Sequence, residues 1–223
     1  MAWAEFILAF LVFFVSHSVP VRPGVKEALV RRIGRFGFSC CYSALSLAVL
    51  IWLVGAAGRA PFVPVWNWAP WQTHLALGLM FLACLIIALS LGRPNPFSFG
   101  SAQNHRFDAA KPGIIRLGRH PLLLALGLWA IAHLFVNGDL AHVLLFGVFA
   151  IFALSGGRLV DRRKRRELGP RWDALVEEVQ GQPLKPALRS FRKPDVVRIC
   201  CAVLIYLALI GLHPLVIGVS PLM

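Results

Sequence analysis

Along the chain, long apolar runs alternate with shorter polar stretches. Six apolar runs fall at about 3–19, 38–56, 73–92, 120–136, 140–157 and 196–219. A helix needs roughly 20 apolar residues to cross a bilayer, and each run approaches that length, the fourth and fifth falling short. The pattern predicts an all-α polytopic membrane bundle of six transmembrane helices, a single integral membrane domain over residues 1–223. Asn137-Gly138-Asp139 leaves room only for a tight turn between the fourth and fifth runs, so these two form an antiparallel helical hairpin. Asp139 is placed to cap the fifth helix.

Beyond the fifth run the polarity changes but the helical character does not. Arg158 to Leu168 continues the fifth helix until Gly169-Pro170 stops it. From Arg171 to Gln180, the apolar Trp172, Leu175, Val176 and Val179 alternate with acids, the pattern of a helix lying on the membrane surface or on the bundle. Residues 181–195 are rich in proline and arginine and read as a linker.

Charge fixes the orientation of this frame. The polar stretch 20–37 carries Arg22, Lys26, Arg31, Arg32 and Arg35, and 93–119 carries Arg93, Arg106, Lys111, Arg116 and Arg119. Eleven more basic residues lie in 158–195, whereas 57–72 and 137–139 hold only Arg59. By the positive-inside rule the three basic segments face the cytoplasm and both termini lie on the other side. The expected location is a membrane bounding the cytoplasm, crossed several times. The formal net charge of +13 is therefore read as orientation rather than as a nucleic-acid surface, and no nucleic acid is expected as a partner.

The first apolar run has no Lys or Arg ahead of it, carries Glu5 and lacks a small-residue cleavage site, so a retained helix is expected. The five cysteines sit in apolar runs without C-x-x-C spacing and read as small packing residues. No G-x-S-x-G, H-E-x-x-H, P-loop or dinucleotide fingerprint occurs. Apart from Glu5 the runs lack acids, which disfavours a transporter with a carboxylate relay.

The chemical signal lies in seven histidines. Neutral imidazole is a common metal ligand, and a polar side chain at membrane depth is costly unless it has a task. His74, His142 and His213 sit near run ends, where imidazole meets headgroups or water, and His105 lies in a polar loop. His17, between Ser16 and Ser18 at the end of the first run, and His133, one helical turn beyond Trp129, are the stronger candidates. Arg119-His120-Pro121 opens the fourth run. Proline suits the first turn, and the free N–H groups of a helix N-terminus, with Arg116 and Arg119 beside them, make a natural seat for a carboxylate or phosphate.

Together these residues carry a resemblance. Ser16-His17, the Arg119-His120-Pro121 triplet, Trp129-Ala-Ile-Ala-His133 and the Asn137-Gly138-Asp139 turn, over about residues 4–165, resemble the NnrU family of bacterial membrane proteins, linked by name to nitrite and nitric oxide metabolism. The same set is similar to the plant 15-cis-zeta-carotene isomerases, which hold a haem b between histidines. The opening triplet also resembles, over a shorter stretch, membrane methyltransferases and sterol reductases that use it to bind a nucleotide cofactor.

Carried over, the resemblance implies haem b with His17 and His133 as metal ligands, and Arg116, Arg119, His120 and Trp129 as cofactor-binding residues. Where the isomerases have a cysteine three residues before the second histidine, this chain has Ala130. His17, at the cytoplasmic end of its run, is level with His120 and not with His133, which lies about 20 Å along the helix and points to nearly the opposite side, so either a span boundary shifts, or His17 pairs with His120, or there are two sites, the family pair being preferred. The expected partners are the lipid bilayer and either an apolar small-molecule substrate or a redox partner, in an oligomeric state left open. The expected function is redox-linked or nitrogen-oxide-related. The alternatives are a carotenoid-type cis–trans isomerase, a transferase at the Arg119-His120-Pro121 mouth, or a non-catalytic assembly factor.

Overall fold

The computed structural model describes residues 2–184 and 193–222. Within them the chain forms seven α-helices: α1 Ala2–Ser18, α2 Pro23–Arg59, α3 Pro70–Ser90, α4 Pro121–Val136, α5 Leu140–Leu168, α6 Arg171–Gly181 and α7 Lys193–Val216. Four stretches are long and apolar enough to cross a membrane: Pro23–Arg59, Pro70–Ser90, Leu140–Leu168 and Asp195–Val216. The apolar α1 and α4, at 17 and 16 residues, reach about 25 Å against the ~30 Å of a hydrocarbon core. Large apolar side chains point outward along these helices, as on Ile51, Ile151 and Leu204, which is what a lipid-facing surface requires.

The 20–37 stretch, read from its polarity as a loop, is largely helical. Lysine and arginine are good helix formers, and Pro23 occupies the first turn, where its missing N–H costs nothing. Gly34, at φ +73°, interrupts the helix and separates this basic turn from the apolar remainder of α2.

The structure divides into two compact units, Met1–Trp66 with Gly138–Leu145, and Asn67–Asn137 with Phe146–Met223. In the first, α1 lies against α2. Phe6 and Ala9 of α1 and Leu53, Ala56 and Ala57 of α2 are buried, and such alanines let helices approach closely. At one end of the pair, Glu5 accepts hydrogen bonds from Arg59 Nη2 at 2.6 Å and Trp52 Nε1 at 3.1 Å. The extended segment after α2 pairs with the Asn137-Gly138-Asp139 turn: Val65 N donates to Gly138 O at 2.7 Å and Leu140 N to Val63 O at 2.9 Å. A side chain on Gly138 would collide with the Trp66 carbonyl, so only glycine fits there. Asp139 caps α5, accepting from the His142 backbone N–H at 3.2 Å.

In the second unit α3 is central, packing on α4 and α7. Ala83 and Ile86 of α3 meet Ala125 of α4 in a buried cluster, and Gly127 of α4 approaches Leu154 of α5. Tyr206 of α7 donates to Leu77 O at 3.1 Å. Arg198 of α7 donates to the carbonyls of Ala88 and Leu91 at 2.6 and 2.9 Å, satisfying acceptors that the end of α3 leaves open. Gly169, at φ +56°, closes α5, and α6 turns Trp172 and Val179 onto Phe97, Ala109 and Ile115 of the loop between α3 and α4.

Candidate functional site

The Arg119-His120-Pro121 triplet is at the N-terminus of α4, with Pro121 in its first turn and His120 immediately before it. His120 is bonded through both ring nitrogens, Nδ1 lying 3.1 Å from Ser98 Oγ and Nε2 2.8 Å from Asp161 Oδ1. Arg119 grips the same carboxylate with two nitrogens, Nη2 to Oδ2 at 2.8 Å and Nε to Oδ1 at 3.3 Å, the fork geometry that favours arginine over lysine. The guanidinium also stands 5.9 Å from the Trp172 ring centre. Asn95 supports the triplet, donating from Nδ2 to Arg119 O at 3.0 Å while its Oδ1 accepts from Phe97 N at 3.0 Å.

Asp161 is on α5, beyond its apolar run. Partial burial opposes ionisation of its carboxyl, but the hydrogen bonds from Arg119 and His120 outweigh it and hold the group below the usual aspartate range. The positive end of α4 is thus met by a carboxylate from within the chain. Arg116 donates from Nε to Gln182 O. Arg116 and Arg119 share a shallow cleft of about 200 Å³ whose walls include Ile115, Leu117, Val176 and Val179. The two arginines named from the sequence are therefore on one surface, Arg119 already paired with Asp161.

The interior of α4 is chemically different. His133 Nδ1 is 2.8 Å from Trp129 O, one turn back. A carbonyl only accepts, so Nδ1 carries the proton and the lone pair resides on Nε2. The ring is flanked by Trp129 at 5.2 Å, Phe146 at 4.9 Å and His213 at 6.5 Å between centres. Asn137 caps this end of α4, donating to His133 O at 2.7 Å.

His17 belongs to the other unit and repeats the arrangement. Its Nδ1 is 2.8 Å from Phe13 O, and its ring stacks on Phe13 at 4.0 Å. The remaining histidines have local roles. His74 bonds Pro70 O, His142 bonds Asp139 Oδ2, and His213 bonds Val219 O. His105 is exposed in a short 3-10 turn. Among the described residues no group of three or more His, Cys, Asp and Glu side chains gathers as a metal site.

A family model described as NnrU protein matches residues 5–221, nearly the whole chain. The chain belongs to the NnrU family. No match was found among curated proteins or among solved structures. In this NnrU protein His17, His74 and His133 share one protonation pattern, each carrying its proton on Nδ1 against the carbonyl four residues back. An Nδ1–H bonded to a carbonyl is the usual support of a metal-binding imidazole. His120, bonded at both nitrogens, lacks that arrangement. Ala130, where the isomerases have cysteine, is fully buried and brings no thiol.

Asp161, Ser98 and Asn95 were not singled out from the sequence. Asp161 had one available signal, being the only acid among the basic residues from Arg158 to Arg166.

Proposed function

We propose that this NnrU protein is a haem b-binding protein of the bacterial inner membrane, crossing six times with both termini outside the cytoplasm, and that its role is redox-linked or tied to nitrogen oxides. The reading rests on the family match together with the state of His17 and His133, each holding Nδ1–H on the carbonyl four residues back at 2.8 Å, a state His74 shares on Pro70 O at 2.9 Å. This bond fixes the tautomer and limits ring rotation, the support usual for a metal-binding imidazole.

When bound, the haem supplies a one-electron couple, tuned by its axial ligands and by the polarity around it. The chain's own residues set those conditions. Trp129 and Phe146 place aromatic surface beside the half-buried His133 ring.

The test is the visible spectrum of the full chain purified from cells supplied with haem. A Soret band is expected, lost in His17→Ala and in His133→Ala and retained in His120→Ala. A wild-type protein with no Soret band, or both variants retaining it, overturns the reading. Far-UV circular dichroism confirms that the variants remain helical.

A further inference from the structure

The end of α5 presents a second surface independent of the histidines. At 100° per residue, Arg158, Arg162 and Arg166 fall within about 80° of one another and form a single stripe. All three are exposed. The outward apolar surface of the same helix leads into that stripe: Ile151 is 70% exposed, Phe152 54% and Leu159 61%. The face that meets hydrocarbon along the apolar run therefore becomes a face of arginines where the run ends.

The neighbouring charges sharpen the contrast. Glu167, on the opposite side of α5, takes Arg163 and Lys164 at 2.8 and 2.7 Å. Asp173 of α6 takes Arg165 at 3.0 Å, and Asp161 takes Arg119 and His120. The carboxylates that contact this segment thus serve other partners. Among the described residues, none forms an ion pair with Arg158, Arg162 or Arg166. From Arg158 to Arg166 the helix rises about 12 Å, which places the stripe at headgroup depth and just beyond.

We propose that this stripe binds the phosphates of anionic phospholipids in the leaflet at the arginine end of α5. Guanidinium groups match phosphate oxygens in a fork, and their stems remain against the acyl boundary. Phosphatidylglycerol, with a net negative headgroup, is preferred there over zwitterionic phosphatidylcholine.

The test compares the full chain in nanodiscs of phosphatidylcholine alone and of phosphatidylcholine with about a third phosphatidylglycerol, a fraction large enough to give an anionic surface. The thermal midpoint should rise in the anionic discs by on the order of 5 °C at low salt. It should fall back in about 1 M salt, where screening is complete within a few ångströms. The triple variant R158Q/R162Q/R166Q should match wild type in phosphatidylcholine and lose most of the rise, while K164Q, altered on the opposite face, keeps it. The single variants R162Q and R166Q, each losing part of the rise, carry the test if the triple variant does not fold. No rise in wild type, or an undiminished rise in the triple variant, overturns the proposal. So does glycerol phosphate reproducing the rise in phosphatidylcholine discs, which assigns the stripe to a soluble anion, or a rise that persists in high salt.

Discussion

Asp161→Asn tests whether one carboxylate holds the N-terminus of α4 to α5. The substitution keeps the shape of the side chain and removes its charge, so Arg119 loses its ionic partner while His120 keeps an oxygen to meet. The side chains of Arg119, Asp161 and His120 are 32%, 27% and 12% exposed, between the limits of a surface pair and a buried one. Exposed pairs contribute about 0.2–1 kcal/mol, and removing one partner of a buried pair costs about 3–5 kcal/mol. With solvent screening the expected loss is about 2 kcal/mol. For a chain of this size that lowers the melting midpoint by roughly 4–8 °C, measurable by circular dichroism in detergent.

The acid limb gives an independent reading. The carboxyl titrates below its ordinary value in the folded chain, so its contribution is present above the unfolded value of 3.8 and is lost as pH falls through the lower folded value. Below that range, wild type and Asp161→Asn should converge. Arg119→Gln should cost a similar amount, and the double variant should cost less than the sum of the two singles, because each removes the same bond. A midpoint for Asp161→Asn within about 1 °C of wild type, or strictly additive losses in the double variant, refutes the reasoning.

Three further predictions concern the helix backbones and their turns. Gly138→Ala forces a side chain against the Trp66 carbonyl and should lower the midpoint by several degrees, about 1–3 kcal/mol of overpacking. Gly147→Ala, with nothing within 4 Å of the added atom, should leave it unchanged or raise it slightly. Arg198→Gln removes the donor that satisfies Ala88 O and Leu91 O, so amides in the last turn of α3 should exchange faster in hydrogen-exchange mass spectrometry. Unchanged exchange there would show that water replaces the arginine without loss.

How much of this was legible in the sequence depended on the range of the physics involved. Apolar runs mark helices because the backbone must satisfy itself in hydrocarbon, and the extent of α5 followed from local signals, ending at Gly169. The basic segment of α2 before Gly34 does not show in polarity alone, because lysine and arginine serve loops and helices alike. The motifs that carried the resemblance were enough to name the family. Asp161 was not found because its partners Arg119 and His120 are 42 and 41 residues away in the chain, and periodicity holds no information at that separation.

The same limit applies to the histidines of α4. The sequence assigns His133 to a metal and His120 to the opening of α4, without the partners of either ring. What distinguishes them is the partner of each nitrogen. His120 lies between Ser98 and Asp161, so its ring is a bridge that ties the loop after α3 to α5, and a metal could take it only by displacing one of those bonds. His133 rests by Nδ1 on the carbonyl of its own helix, a bond made within four residues that leaves the protonation pattern of a ligand. The two rings of this segment thus differ less by depth than by whether their hydrogen bonds are made to the local backbone or to other elements. The spectra of His120→Ala and His133→Ala measure that difference directly.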